Sequence, residues 1–209
     1  MRSRTIQLTV KHLLDRAVAA LLLILLAPVL VILAGLIVLD AGWPPLFIQE
    51  RVGLDGRIFF IYKFRTMINN AVRQGLGMTV EQQDSRITRI GAWLRGWSLD
   101  ELPQLVNILK GDMSLVGPRP TLACQVAQYS RPQRRRLEMK PGVTGWAQVN
   151  GRNALPWSRR IELDVWYVDH FSLWLDLRIL WRTVGVFLRR EGLYGVGGVN
   201  DDFGSPRQP

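Results

Sequence analysis

The chain has one cysteine, Cys124, so it can form no internal disulfide, and nothing in it points to an oxidising compartment. Acidic residues are scarce: 17 Asp and Glu stand against 27 Lys and Arg, a formal charge of +10 over 209 residues. With 48% apolar residues, that balance excludes a disordered acidic or low-complexity chain. There is no internal repeat. The most informative absence is local, because residues 17–39 contain no charged or strongly polar side chain. This run is too long for the apolar part of a signal peptide, and no small-x-small cleavage site precedes Asp40.

At about 1.5 Å per residue such a helix reaches roughly 35 Å, enough to cross a hydrocarbon core. Length alone therefore favours a plain span. Two details point elsewhere. Pro28 sits at the middle of the run, where it removes a helix hydrogen bond and divides the segment into halves about half a bilayer deep. Both flanks are also basic: residues 1–16 carry four Lys/Arg and one Asp, net +3, which leaves +7 for residues 40–209. Positive flanks stay in the cytoplasm. The sequence thus predicts a basic leader over 1–16, a re-entrant membrane helix over 17–39 broken at Pro28, a cytoplasmic domain over 40–191 and a flexible tail over 192–209.

The cytoplasmic part reads as α/β in the α+β sense, rich in helix. Trp43-Pro44-Pro45 makes a rigid interfacial exit. Residues 46–66, with Asp55-Gly56 between two apolar stretches, read as a β-hairpin. Residues 68–83 read as a mobile loop or a short helix. Helices are predicted over 86–97, over 103–110 with Pro103 first and Gly111 as stop, and over 121–139 with an interruption at Pro132. A glycine-rich loop covers 141–153, and helices follow over 156–169 and 173–190. In the last, Leu173, Leu177, Leu180, Trp181, Val184 and Leu188 form one stripe. It can pack on the core or, with Trp174, Trp181 and several arginines, lie in a membrane interface.

Residues that can carry chemistry concentrate between Arg95 and Pro120. Asp100 and Glu101 precede a helix start, where the dipole favours their ionised forms. Ser98-x-x-Glu101 matches a capping box, but that register would place Pro103 inside the helix. An ionised carboxylate is what a metal ligand or a carboxylate nucleophile must be. In Gly117-Pro118-Arg119-Pro120 two prolines fix the backbone around one arginine, which suits phosphate recognition. Strand alternation places Lys63 and Arg65 on one face; Arg95 lies one loop before the carboxylates, and Arg152 lies in the glycine-rich loop. Together they offer cations near a carboxylate site, as phosphoryl transfer requires.

Four stretches, LFIQERVGLDGRIFFIYKFRTM, SLDELPQLVNILKGDMSLVGPRP, KPGVTGWAQVNGRN and ELDVWYVDHFSLWLDLRIL, resemble the bacterial sugar transferase family, the monotopic phosphoglycosyl transferases. The resemblance runs from about residue 11 to about residue 190. It implies an enzyme of the cytoplasmic face of the bacterial inner membrane, here in minimal catalytic form. Such an enzyme moves a sugar 1-phosphate from a UDP-sugar to undecaprenyl phosphate or a related polyprenyl phosphate, releases UMP and starts a surface glycan. The family's helix break maps onto Pro28, although the serine usual before it is Ala27 here. Its catalytic pair maps onto Asp100 and Glu101, with Asp100 as nucleophile of an aspartyl-phosphosugar intermediate and both carboxylates as ligand candidates for Mg²⁺. Its phosphate-binding arginine maps onto Arg119, and Lys63, Arg65, Arg95 and Arg152 are further site cations by position.

The resemblance implies no nucleic-acid partner, and it leaves a homodimer and the sugar open. No stretch reads as a hexose selector; the loops at 68–83 and 142–153 are candidates. The alternative from another class is a membrane-anchored basic binding module without catalysis, which gives no reason for the carboxylate pair beside Gly117-Pro118-Arg119-Pro120.

Overall fold

The computed structural model describes residues 2–71, 80–81, 83–189, 192 and 199–200. Much of the predicted 68–83 loop and nearly all of the 192–209 tail lie outside the described residues. In chain order the elements are α1 (Arg2–Ala41), β1 (Leu46–Val52), β2 (Ile58–Phe64), β3 (Val80–Glu81), α2 (Arg89–Gly96), α3 (Gln104–Lys110), β4 (Ser114–Val116), α4 (Ala123–Ala127), α5 (Arg131–Arg134), β5 (Gly142–Thr144), α6 (Trp146–Val149), α7 (Trp157–His170), α8 (Leu173–Arg189) and β6 (Val199–Asn200). The strands form three separate pairs: β1 with β2 and β3 with β6 antiparallel, β4 with β5 parallel. The fold is helix-rich with little sheet, as the sequence predicts.

α1 is one helix of 40 residues with Pro28 inside it, where the sequence predicts a break. Buried or half-buried positions recur at Leu8, Lys11, Asp15, Ala19, Leu22, Leu26, Leu30, Leu33 and Ile37. These steps of three and four keep helical phase through the proline. Pro28 itself is exposed on the outward side, so its missing N–H leaves the packed face intact. Residues from Arg2 onward, including the basic segment, are the first turns of this helix.

The inward stripe meets the body along its whole length. Leu8 packs near Tyr167, Val168 and Ile179; Ala19, Leu22, Leu23 and Leu26 pack near Leu105 and Ile108; Leu30, Leu33, Ala34 and Ile37 pack near Phe64 and Leu94. The outward side, including Leu21, Ile24, Leu25, Val31, Ile32 and Leu39, is apolar and exposed.

The predicted hairpin is present, in register from Leu46 opposite Phe64 to Val52 opposite Ile58, and both Asp55 and Gly56 take positive φ in its turn. α2 is capped by the Thr88 hydroxyl, which accepts from Gly91 N at 3.0 Å, and by Asp40, which accepts from Ile90 N at 2.9 Å. α3 ends at Gly111, whose φ of 92° lets its N–H turn back to the Asn107 and Ile108 carbonyls.

Two regions differ from expectation. Residues 121–139 hold the short helices α4 and α5 and a 3₁₀ turn, Arg135–Glu138, rather than one interrupted helix. The predicted 141–153 loop contains β5 and α6, and β5 pairs with β4 because glycines let two backbones touch. A Cβ on Gly117 would stand 2.2 Å from the Lys140 carbonyl oxygen.

On α8 the inward residues are Leu175, Asp176, Ile179 and Thr183. Trp174, Leu177, Trp181, Val184 and Leu188 face outward, with Trp174 77% and Trp181 81% exposed. Most of the apolar stripe therefore lies on the surface, and polar residues face the core with partners: Asp176 with Lys11 and Tyr167, Thr183 with Thr144.

Candidate active site

The carboxylates stand on a 3₁₀ turn, Leu99–Glu101, between α2 and α3. Ser98 turns the chain into it with φ 54°, a left-handed conformation that few non-glycine residues adopt. The Ser98 hydroxyl caps nothing; it accepts from Arg152 Nη2 at 3.2 Å. The capping-box reading of Ser98 and Glu101 is thereby removed, and both carboxylates are available to a cavity of about 430 Å³.

The two acids are treated differently. Glu101 Oε1 accepts from Lys63 Nζ and from Arg119 Nη2, each at 2.9 Å. Burial alone would raise its pKa, but Arg119 and Lys63 more than reverse that and hold it well below the usual carboxylate range. Asp100 makes no hydrogen bond or ion pair among the described residues. Burial first and Glu101 second push its pKa up, against the nearby charges of Lys63, Arg95 and Arg119. One carboxylate is fixed as an anion; its neighbour is kept unpaired and more basic.

The cations arrive from five separate parts of the chain. Lys63, on β2, has its pKa lowered by burial and partly restored by Glu101. Arg95, in the last turn of α2, is held by its Nε donating to Thr66 Oγ1 at 2.8 Å. Arg119 follows β4, with Gly142 N donating to the Pro118 carbonyl at 2.9 Å behind it. Arg152, at φ 51°, lies 5.7 Å over the Phe187 ring; burial and then Arg119 lower its pKa. Arg160, on α7, lies 4.7 Å over the Trp157 ring and donates to Asn153 Oδ1 at 3.1 Å. With Arg51 of β1, six cations (Arg51, Lys63, Arg95, Arg119, Arg152, Arg160) and two carboxylates line the cavity. Its natural occupant is an anion.

The structure places Lys63, Arg95, Arg119 and Arg152 around one cavity with the carboxylates. Arg65 is placed otherwise. It lies past the end of β2, so strand alternation no longer aims it, and its buried guanidinium donates to the carbonyls of Ala41 (2.7 Å), Gly42 and Trp43 and to the Asn69 side chain. There it satisfies the carbonyls at the C-terminus of α1.

Sequence reasoning missed the support behind Arg119. Arg136, 2% exposed, pairs with Asp164 and donates to the Arg119 carbonyl at 3.0 Å and the Tyr129 hydroxyl at 2.6 Å. Burial raises the Asp164 pKa to about 6 despite Arg136. Nothing in the local sequence separates these two from surface charges on a helix. Arg51, Trp157 and Arg160 were likewise without a motif.

Among the described residues no group of three or more His, Cys, Asp or Glu converges as a metal cage. Asp100 and the Oε2 of Glu101, which has no hydrogen bond among the described residues, form the kind of one- or two-carboxylate donor set that binds Mg²⁺ together with substrate phosphates.

Comparison with known proteins accords with this geometry. The family model described as "Bacterial sugar transferase" matches residues 6–190. The chain is 46% identical over 183 residues to the uncharacterized sugar transferase EpsL of Bacillus subtilis, covering 88% of this chain and 89% of that one. It is 42% identical over 198 residues to the UDP-galactose-lipid carrier transferase of Erwinia amylovora and 38% identical over 198 residues to the undecaprenyl-phosphate galactose phosphotransferase of Salmonella typhimurium. In both of these the match covers 88% of this chain and 41% of the relative. From the matched length, the carboxylate pair and the basic cavity around it, the chain belongs to the bacterial sugar transferase family.

Proposed function

We propose that the chain transfers a sugar 1-phosphate from a UDP-sugar to undecaprenyl phosphate in two steps, through an aspartyl-phosphosugar on Asp100. An oxygen of Asp100 attacks the phosphorus that bears the sugar. The bond from that phosphorus to the UMP oxygen breaks, and UMP leaves with the electron pair. A phosphate oxygen of the lipid then attacks the same phosphorus, and Asp100 departs as a carboxylate. The product is a lipid diphosphosugar that can start a surface glycan.

The observation that carries this reading is the asymmetry of the pair. A nucleophile needs a free lone pair and an open approach, and Asp100 has both, whereas Glu101 has its charge committed to Lys63 and Arg119. Glu101 in turn orients those two cations. Arg119, 39% exposed at its side chain, keeps guanidinium surface toward the cavity, and Arg95 and Arg152 flank it. They neutralise charge on the transferred group. Asp100 and Glu101 Oε2 would hold Mg²⁺, which supplies further charge neutralisation at the diphosphate when bound. The names of the Erwinia and Salmonella relatives support a nucleotide-sugar donor and a lipid acceptor.

Membrane association on one face belongs to the same proposal. Both halves of α1 lie against one body, which a helix crossing a bilayer away from its domain would not do. The outward sides of α1 and α8 are apolar, and tryptophans stand on α8 as in interfacial helices. The basic flanks favour the cytoplasmic face.

The test is UMP release by the full chain with undecaprenyl phosphate, Mg²⁺ and a panel of UDP-sugars. One or more sugars should support turnover that depends on the lipid. Salt-sensitive binding of anionic lipid with no turnover on any sugar would favour a binding module and sink the proposal.

A further inference from the structure

A second cavity, of about 550 Å³, meets the first at Asp100. The two share Arg51, Lys63, Val80, Arg95 and Asp100, and diverge from there. The first continues among Arg119, Arg152 and Arg160. The second continues between Leu46, Phe47 and Ile48 at the start of β1 and Met67 and Ile68 after β2. One branch is lined mainly by charged and polar side chains; the other is charged at the shared end and more apolar than polar beyond it, with Gln49, Thr66, Asn69 and Asn70 among its lining. Both volumes lie within the roughly 300–1,000 Å³ usual for small-molecule sites.

We propose that the second branch is the acceptor groove, which takes the phosphate and the first isoprene units of the lipid and delivers them to Asp100. This rests on the two-step transfer proposed above. A nucleoside diphosphate finds few polar partners along Leu46, Phe47, Ile48, Met67 and Ile68. An apolar chain with a terminal phosphate matches both ends, since Lys63 and Arg95 stand where its phosphate would lie.

Exposed apolar residues also lead from the end of α1 to the outer end of this branch. Leu39 and Trp43 are exposed at the end of α1, and Leu46, Phe47 and Ile48 are exposed just beyond them.

Arg65 takes its place in this reading. One guanidinium ties the carbonyls of Ala41, Gly42 and Trp43 to the Asn69 side chain, and Pro44 and Asn69 both line the groove. Arg65 is thus a positioning residue that fastens the two sides of the mouth, rather than a phosphate ligand.

Phe47 and Ile68 are exposed, so Phe47→Asp and Ile68→Asp perturb the groove without opening the core. The full chain would be assayed in two ways: exchange of labelled UMP into UDP-sugar without lipid, and complete transfer at varied undecaprenyl phosphate. The inference predicts exchange within about twofold of the unsubstituted chain and an acceptor KM raised at least about tenfold, with donor KM unchanged. An unchanged acceptor KM, or exchange and transfer falling together, would overturn it. If phosphatidic acid vesicles inhibited transfer as strongly as added farnesyl phosphate, the groove would accept any lipid phosphate and the isoprenoid assignment would fail. Transfer without any exchange in the unsubstituted chain would instead reject the covalent step, and the acceptor KM shift would still decide the groove.

Discussion

Two of the buried charge clusters among the described residues are built on opposite principles. Between α1 and α8, Lys11 Nζ sits 2.6 Å from Asp176 Oδ2 and 3.7 Å from Asp15 Oδ2. Tyr167 donates to the other oxygen of Asp176 at 2.6 Å, and Ser114 donates to Asp15 at 2.6 Å. Each acid has a donor, and each side chain of the ionic trio is less than a tenth exposed. At the cavity, six cations face two carboxylates, and one of those carboxylates has no hydrogen-bond or ion-pair partner among the described residues. The closed cluster compensates its own charges and fastens a helix to the body. The open one gathers more cations than carboxylates around a cavity, which favours an anionic ligand. Burial of charge alone does not separate the two clusters; the carboxylate left without a partner does.

The sharpest way to break that distinction is to remove one acid from each. Asp100→Asn should lower turnover by at least about a thousandfold in a nucleotide-release assay, since loss of a nucleophile is among the costliest single changes. Its melting temperature should hold or rise, because an unpaired buried carboxylate is replaced by a neutral amide. Asp176→Ala should do the reverse. It leaves Lys11 buried without its nearest partner and should cost about 3–5 kcal/mol of stability by urea unfolding, while folded molecules keep their turnover.

Smaller effects refine the contrast. Arg119→Lys keeps the charge near Glu101 but loses the planar fork, so kcat/KM should fall roughly 10- to 100-fold with little change in stability. His12, beside Lys11, sharpens the closed cluster by its pH response. Burial, and then Lys140, lower its pKa to about 4. The unfolded chain binds that proton near pH 6.5 and the folded chain only near pH 4, so stability should be lost as pH falls between those values. His12→Gln should flatten this part of the profile, seen as a smaller difference in urea midpoint between pH 7 and pH 4.5.

Much of the open cluster was legible because its signals are local. Asp100-Glu101 and Gly117-Pro118-Arg119-Pro120 announce themselves within a few residues, and Lys63 is aimed by strand alternation that holds inside β2. Arg65, two residues on, lies past the strand end, so the same rule misplaces it. The closed cluster was not legible at all, because Lys11, Ser114 and Asp176 meet only through packing of distant elements. Pairing of β4 with β5 is hidden for the same reason: it depends on a backbone contact at Gly117 and Gly142 that no local pattern encodes. α8 shows a different limit. Its apolar stripe has one signature whether it faces a core or a bilayer, and the inward partners of Asp176 and Thr183 settle which side turns outward. Pro28 was read from its local cost, whereas the contacts on either side hold α1 as one helix.

The proposed covalent role of Asp100 gives a reason for its standing unpaired among the described residues. Its direct test is incubation of the full chain with labelled UMP, an accepted UDP-sugar and Mg²⁺ in the absence of lipid acceptor. Label should appear in UDP-sugar with the unsubstituted chain and not with Asp100→Asn. Lipid-dependent transfer by the unsubstituted chain with no exchange of label would contradict it.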